Sequence, residues 1–208
     1  MVKTSRATKA ATELQRLAAD ACSCQACDLY RNATQTVFGQ GTATARIFLL
    51  GEQPGDQEDK AGQPFVGPAG RILDKALDEV GLSRDDVYMT NAVKHFKWTA
   101  KGKRRIHQRP SAGEVSACHQ WLEAELAAVD PAVIVALGAT AGQALLGSKF
   151  RVGAARGQVL DLDGRAVVAT IHPSAVLRVQ EPADRDKQYA GLVADLRRAV
   201  EVSEKENR

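Results

Sequence analysis

Short apolar segments alternate with longer amphipathic segments along this chain, and few folds accommodate such an alternation. The apolar segments have the length of β-strands and cover residues 46–50, 87–93, 132–137 and 166–171. Strands that are apolar at nearly every position are buried on both faces, as in a parallel sheet covered by helices. The alternation therefore predicts an α/β fold, a three-layer α/β/α sandwich around a four-stranded, mainly parallel sheet with right-handed crossovers.

Amphipathic helices are predicted between and after these strands. Pro68 has the position of a first helical residue, and Ser111 with Glu114 forms a capping box at the start of another helix. The expected helices lie at residues 68–80, from Ser111 onward, at 139–146 and at 189–200.

The length and composition of the chain suit one globular domain. It has 208 residues, of which 44% are hydrophobic and 25% charged. We expect a single domain over residues 1–208 with flexible ends at 1–10 and 203–208. The N-terminal residues are basic and lack the apolar core of a signal peptide, and no apolar run has the length of a membrane span. We therefore expect a cytoplasmic protein that does not contact membranes, and a monomer.

In parallel α/β sheets, ligands bind beyond the carboxyl ends of the strands. Residues 51–56 and 62–70 follow the first strand and are rich in glycine and proline, which allows the backbone to approach a ligand closely. Phe65 lies in this region, where it either stacks on a ligand or fills the core.

Polar residues follow the second and fourth strands. Asn91 either caps a turn or pairs with a planar base, because its amide carries both a donor and an acceptor. His172 precedes Pro173 and Ser174. A lone histidine is usually a hydrogen-bonded structural residue, but its place at the predicted ligand edge favours a functional one.

The segment from Lys94 to Arg109 is strongly basic. It contains seven Lys or Arg and no Asp or Glu, although the whole chain carries a net charge of only +3. Such a segment is either a solvated surface or a phosphate-binding site. Because Phe96, Trp98 and His107 lie within it, we favour nucleic-acid binding by a basic loop that Gly102 loosens.

Four cysteines indicate a metal site if the protein is cytoplasmic. Cys24 and Cys27 have the spacing of metal ligands, and Cys118 lies far away in the sequence. From spacing alone, Cys22 or a histidine completes a zinc or iron–sulfur site, and buried structural thiols remain an alternative.

Together these motifs resemble the bacterial iron–sulfur uracil-DNA glycosylases, and within them the UdgX group, whose members become covalently attached to DNA. Ordinary members have a cysteine directly after the Asn-x-Val-Lys motif, where this chain has His95, as UdgX-like sequences do. The resemblance runs from Cys24 to Arg178 and rests on Cys24-x-x-Cys27, Gly51-Glu52-Gln53-Pro54-Gly55, residues 64–70, Asn91-Ala92-Val93-Lys94, Cys118 and His172-Pro173-Ser174.

The resemblance implies a cofactor, a substrate and a location. The cofactor is a structural [4Fe-4S] cluster, and the substrate is uracil-containing DNA, especially single-stranded DNA. The location is a bacterial cytoplasm, in association with the nucleoid. The implied cluster ligands are Cys24, Cys27, His95 and Cys118, which leaves Cys22 without a role.

The resemblance also implies roles at the reaction site. Phe65 is expected to stack on the flipped uracil, Asn91 to pair with its polar edge, and His172 to stabilise the departing base. Gly51, Gln53 and Asp56 are the remaining expected uracil contacts. The expected DNA contacts are Lys101, Lys103, Arg104, Arg105, Ser174 and Arg178.

We hypothesise that His107 captures the sugar in place of water. Gln53 occupies a position where a carboxylate would guide water, and an amide is not a useful base. Glu52 is then the carboxylate available to orient His107 or to accept its proton. Two alternatives are a turnover glycosylase in which His107 only contacts DNA, and a non-catalytic protein that binds single strands through Phe96 and Trp98.

Overall fold

Helices and strands alternate along the chain as the apolar pattern predicts. The computed structural model describes residues 2–205. In chain order, the elements are α1 (Val2–Ala21), β1 (Gln40–Gly41), β2 (Ile47–Gly51), α2 (Asp56–Ala61), α3 (Pro68–Asp78), β3 (Val87–Asn91), β4 (Trp98–Lys101), β5 (Arg104–His107), α4 (Ala112–Val129), β6 (Val133–Leu137), α5 (Ala139–Leu146), α6 (Val152–Ala155), β7 (Val159–Leu162), β8 (Arg165–Thr170), α7 (Ser174–Arg178) and α8 (Pro182–Lys205).

The main sheet has six strands in the order β1-β3-β2-β6-β8-β7. Its four central strands are the four predicted ones, and they run parallel to one another. The predicted number of four strands is corrected to six, because β1 and β7 add antiparallel edges. Both edge strands are largely exposed and lack an apolar run, so the apolar pattern does not reveal them.

Helices cover both faces of this sheet. Successive residues of β2 point to opposite faces: Phe48 packs in a cluster with Leu122 of α4, whereas Leu49 packs in a separate cluster with Leu73 of α3 and Leu192 of α8. The predicted α/β/α sandwich is confirmed. None of the helices among residues 2–205 is long and apolar enough to cross a membrane.

The basic segment forms a β-hairpin rather than the glycine-loosened loop that we expected. Strands β4 and β5 pair antiparallel and make a sheet of their own, with Lys101 opposite Arg104. Gly102 has a φ of +59°, which suits the first central position of a tight two-residue turn. Glycine therefore shapes this turn and does not loosen the segment.

The described parts of both predicted flexible ends are helical. Helix α1 starts at Val2, and Ala10 is already buried. Helix α8 continues to Lys205, and the carbonyl of Ser203 accepts a hydrogen bond from Arg46. Residue 1 and residues 206–208, which also belong to those predicted ends, lie outside the described residues.

Candidate active site

A cavity of about 900 Å³ opens at the carboxyl ends of the parallel strands. The segment after each central strand contributes to its wall, as expected for a parallel sheet. The hairpin closes one side of the cavity. The wall of the cavity includes Glu52, Gln53, Asp56, Phe65, Asn91, His107, Thr140, His172, Ser174 and Arg178.

Phe65 and Asn91 meet on the floor of this cavity. Both side chains are almost fully buried, with 4% and 3% of their surface exposed. A Cβ atom on Gly51 would lie 2.3 Å from Asn91 Oδ1 and 2.7 Å from Phe65 Cζ. Among residues 2–205 the side-chain amide of Asn91 has no hydrogen-bond partner, so its donor and acceptor face the cavity unused.

The backbone of Phe65 is held in an unusual conformation. Its φ of +55° lies in the left-handed region, which costs a non-glycine residue energy. Arg84 stabilises that conformation: its guanidinium donates to the Phe65 carbonyl and pairs with Asp74, at 2.7 Å from Nε to Oδ1. Nothing in the local sequence around Arg84 points to this role.

Glu58 ties the two glycine- and proline-rich loops together. Its Oε2 accepts from the amide of Gly55 at 3.1 Å, and its Oε1 accepts from the amide of Gly67 at 2.7 Å. The carboxylate is buried, so these bonds are not weakened by solvent. We did not identify Glu58 from the sequence, although Glu three residues after an N-terminal glycine is a capping-box position.

His172 presents one defined ring nitrogen to the cavity. The backbone N–H of Ser174 donates to its Nδ1 at 3.2 Å, and the Ser174 hydroxyl lies 2.8 Å from the same atom. Nδ1 is therefore the acceptor, and a neutral ring must carry its proton on Nε2. Burial lowers the pKa of His172 to about 4, with smaller contributions from Arg178 and His107, so the ring is neutral at physiological pH.

His107 lies at the end of β5, on the rim of the same cavity. Its side chain is 49% exposed, and its Nε2 lies 3.5 Å from Oε1 of Glu52. The other carboxylate oxygen of Glu52 accepts a hydrogen bond from the hydroxyl of Thr140. The hairpin thus brings the predicted nucleophile next to the carboxylate predicted to assist it.

The side chain of Gln53 does not have the position that we expected of a reacting or uracil-binding group. Its amide donates to the carbonyls of Lys97 and Gln108 at 3.2 and 3.0 Å, and its oxygen accepts from the amide of Lys97 at 3.1 Å. These bonds hold the two strands of the hairpin at their base. Gln53 therefore lines the cavity but uses its polar atoms to position the hairpin.

Arg105 is also placed differently from the phosphate contact that we expected. Its guanidinium pairs with Asp56 at 2.5 Å and Asp59 at 2.6 Å, and it lies over the rings of Phe96 and Trp98. Two carboxylates neutralise it, and it anchors the hairpin to α2. Asp56 also pairs with Lys60, so each of its carboxylate oxygens already accepts a hydrogen bond from a cation.

The other basic residues of the hairpin are available to DNA. Lys101, Lys103 and Arg104 surround the turn and are exposed. On the opposite rim Arg178 is exposed, and its guanidinium donates to the Ser174 hydroxyl at 2.7 Å. Positive charge therefore lies on both sides of the cavity.

Three of the predicted cluster ligands are Cys24, Cys27 and Cys118, and the charge of one thiolate raises the pKa of another. Burial raises the pKa of Cys118 to about 11, and the nearby Cys24 and Cys27 add to the rise. The Sγ atoms of Cys24 and Cys118 each accept an N–H at 3.2 Å, from Trp121 Nε1 and from the Lys94 amide. Thiolates are the usual ligands of iron–sulfur clusters, and a bound cluster would hold these cysteines in that form.

His95, the fourth predicted ligand, has a defined tautomer. The Thr36 hydroxyl donates to the Ala21 carbonyl at 3.0 Å, so at its 2.9 Å contact with His95 Nε2 it must accept. The ring therefore carries its proton on Nε2 and leaves Nδ1 with a free lone pair. Burial lowers the pKa of His95, which also favours the neutral, metal-binding form.

Among residues 2–205 no three His, Cys, Asp or Glu side chains are grouped so that they could hold one metal ion. Cys22 is exposed at the end of α1 and its thiol donates to the Ala18 carbonyl.

Comparison with known proteins identifies the family of this chain. Residues 38–197 match the family model described as the uracil DNA glycosylase superfamily. A type-4 uracil-DNA glycosylase of Thermotoga maritima is 42% identical over 157 residues, which cover 74% of this chain and 78% of that protein. Those of Archaeoglobus fulgidus, at 38% identity with 74% and 78% covered, and of Pyrobaculum aerophilum, at 33% with 80% and 85% covered, are also similar. Because the family match spans most of the chain, including every strand of the main sheet, this protein belongs to the uracil DNA glycosylase superfamily.

Proposed function

We propose that this protein excises uracil from DNA, preferentially from single strands, and then becomes covalently attached through His107, as in the UdgX group. The similarity to type-4 uracil-DNA glycosylases supports the excision step. One observation carries the capture step: Nε2 of His107 lies 3.5 Å from Oε1 of Glu52, inside the cavity that also contains Asn91 and His172.

Recognition of uracil requires the base to leave the stack and enter the cavity. Phe65 offers a flat apolar surface for it, and the unpartnered amide of Asn91 pairs with the polar edge of the ring. Cytosine presents the inverted donor and acceptor pattern at that edge, so it is rejected. A single strand is preferred because flipping from a duplex costs a few kcal/mol.

Excision then depends on His172. The uracil base departs with the electron pair of the glycosidic bond, and negative charge develops on its O2. The Nε2–H of His172 faces the cavity because Nδ1 is occupied by Ser174, so it donates to O2 as that charge forms. The sugar is left as an oxocarbenium-like electrophile at C1′.

Capture follows when His107 reaches this electrophile before water does. A lone pair of one imidazole nitrogen forms the bond to C1′, and the proton of the other nitrogen is lost. Glu52 is the neighbouring carboxylate that orients the ring or takes the proton. Gln53 supports this outcome in two ways, because its amide is no base and because it holds the hairpin at its base.

Contacts to phosphates come from both rims of the cavity. Lys101, Lys103 and Arg104 extend from the hairpin turn, and Ser174 and Arg178 lie on the opposite rim. Arg105 is not proposed as a phosphate contact, because Asp56 and Asp59 already neutralise it.

A [4Fe-4S] cluster would be held by Cys24, Cys27, His95 and Cys118. It would supply structural cross-linking, with little part in the chemistry at C1′. The residues that it joins belong to the segment after α1, to the segment between β3 and the hairpin, and to α4. Its proposed role is to fix the base of the hairpin that carries His107.

A denaturing gel tests the proposal. We expect the protein, incubated with a single strand containing one uracil, to release uracil and to give a DNA band shifted by its own mass. His107→Ser should still release uracil but give no shifted band, because water then attacks C1′. His119→Ser is the matched control, since His119 lies on α4 and pairs with Glu123 outside the cavity.

Each other outcome identifies a different function. Uracil release with free abasic DNA and no shifted band indicates a turnover glycosylase in which His107 only contacts DNA. A shifted band that persists in His107→Ser indicates another nucleophile. Equal binding of uracil-containing and uracil-free strands, with no uracil released, indicates a non-catalytic single-strand-binding protein.

A further inference from the structure

The two oxygens of the Glu52 carboxylate have different partners. Oε1 faces His107, whereas Oε2 accepts a hydrogen bond from the hydroxyl of Thr140. Glu52 follows directly after β2, and Thr140 is the second residue of α5. Without a partner, the carboxylate of Glu52 would rotate about its side-chain bonds. The hydrogen bond from Thr140 restricts that rotation.

The hydroxyl of Thr140 can act only as a donor to Glu52. It has one proton, and a carboxylate without a proton can only accept. Its oxygen in turn accepts from Nε of Arg109 at 3.3 Å. Thr140 is 4% exposed, so water does not compete for either bond. The orientation of this hydroxyl is therefore set from both sides.

Arg109 connects this pair back to the segment that carries His107. It lies two residues after His107, and its Nη2 also donates to Oε1 of Gln143 at 3.0 Å. The chain beyond β5 is thus linked to Glu52 twice, through His107 itself and through Arg109 and Thr140. These contacts form a closed ring that fixes Glu52 relative to the imidazole.

We propose that Thr140 is a positioning residue for the capture step, an inference that rests on the proposed function. Thr140 holds Oε2 of Glu52 so that Oε1 stays directed at His107 while the imidazole bonds to C1′. In this role it acts through Glu52, whose Oε2 accepts a hydrogen bond from its hydroxyl. The hydroxyl of Thr140 bonds to Glu52 and to Arg109, and neither bond involves Phe65, Asn91 or His172.

The test measures which fraction of the abasic sites left by excision reacts with His107 and which fraction reacts with water. Thr140→Val keeps the shape of the side chain but removes the hydroxyl. We expect the ratio of covalent product to free abasic DNA, counted per uracil released, to fall about ten- to hundredfold, the usual effect of losing a hydrogen bond to a charged group. Thr140→Ser restores the hydroxyl and should restore the ratio.

A matched control separates positioning from stability. Thr170 donates to the buried carboxylate of Asp195 at 2.6 Å, a bond of the same kind at the end of β8. Thr170→Val should lower stability without changing the division between capture and water. If Thr140→Val fails to fold, the smaller Thr140→Ala removes the same hydroxyl without a branched side chain and is assayed in the same way.

A double variant tests whether Thr140 acts through Glu52. If it does, Thr140→Val should have little further effect on the capture ratio once Glu52→Gln is present, so the two changes are not additive. Capture at the unmodified ratio in Thr140→Val or Thr140→Ala, or full additivity with Glu52→Gln, would overturn the inference. Absence of any covalent band from the unmodified protein would instead refute the proposed function.

Discussion

Lys94 and Glu125 form an ion pair inside the protein, with Nζ of the lysine 2.5 Å from Oε2 of the glutamate. Their side chains are only 1% and 0% exposed. The same ammonium also donates to the carbonyl of Asn91 at 2.7 Å and to the hydroxyl of Thr90 at 2.6 Å. A buried charge pair therefore fixes the end of the strand that presents Asn91 to the cavity.

Breaking this pair from one side should destabilise the whole protein. Glu125→Gln leaves the Lys94 ammonium buried without a countercharge, and we expect the free energy of unfolding to fall by about 3–5 kcal/mol. Urea unfolding measures that loss. Glu123→Gln is the control, because Glu123 lies on the same helix but its side chain is 69% exposed, and we expect it to change stability by no more than about 0.5 kcal/mol. Equal effects of the two changes would contradict the prediction.

A methyl group at Gly51 should block the cavity floor while leaving the fold intact. In Gly51→Ala the new Cβ would be 2.3 Å from Asn91 Oδ1 and 2.7 Å from the Phe65 ring. Both side chains would have to move, and displacements of about 1 Å at a reaction site cost roughly a hundredfold in rate. Single-turnover release of uracil measures the effect. Gly153→Ala is the matched control, because no atom of residues 2–205 lies within 4 Å of its Cβ position, and it should release uracil at the unmodified rate.

The part of the site that follows strand ends could be predicted from the sequence. Asn91 ends one apolar strand and His172 follows another, so a rule about sheets places both at the same edge. The pairing of Arg105 with Asp59, or of Glu52 with Thr140, could not be predicted. The residues of these two pairs lie 46 and 88 positions apart in the sequence and meet only through their side chains. The local sequence around either partner therefore does not indicate the pairing. The sequence shows that a residue is basic, but it does not show whether a carboxylate neutralises that residue in the folded protein.

Neighbouring arginines of the hairpin should therefore differ in their effect on DNA binding. Arg104 is exposed, whereas Arg105 is paired with Asp56 and Asp59. For Arg104→Gln we expect the slope of log affinity against log salt to decrease by about 0.7 for single-stranded DNA, as when one phosphate contact is lost. Arg105→Gln should leave the slope unchanged but loosen the hairpin. Fluorescence anisotropy over a salt series with a uracil-free strand distinguishes them, and an equal loss of slope would refute this assignment.

Thr36 should affect how firmly the proposed cluster is retained. It accepts the Nε2–H of His95 and so keeps Nδ1 free. For Thr36→Val we expect iron affinity to fall about ten- to hundredfold, as is usual when the partner of a ligating histidine is lost. Iron content after dialysis against a chelator measures the change. Thr42→Val removes another hydroxyl bonded to a backbone carbonyl, outside this site, and its iron content should match that of the unmodified protein; equal iron in Thr36→Val would contradict the prediction.

The lowered pKa of His172 should make stability depend on pH in a defined window. Burial is the main cause, and the charges of Arg178 and His107 add to it, so the folded protein holds the ring neutral down to about pH 4. The unfolded chain takes up that proton near pH 6.5. Protonation therefore favours the unfolded state, and the free energy of unfolding should decrease as the pH falls from about 6.5 to about 4.

His172→Asn isolates this contribution, because asparagine does not titrate. The free energy of unfolding of both proteins is measured in urea between pH 7.5 and 4. All other titratable groups contribute equally to both values, so the difference between the two free energies reports on His172. We expect the unmodified protein to lose stability relative to His172→Asn below about pH 6.5, and the difference to level off below about pH 4. A difference independent of pH would mean that the folded protein protonates His172 as readily as the unfolded chain does. In that case the ring would be charged in mildly acidic solution, and its proposed role as a neutral Nε2–H donor to uracil would hold only above that range.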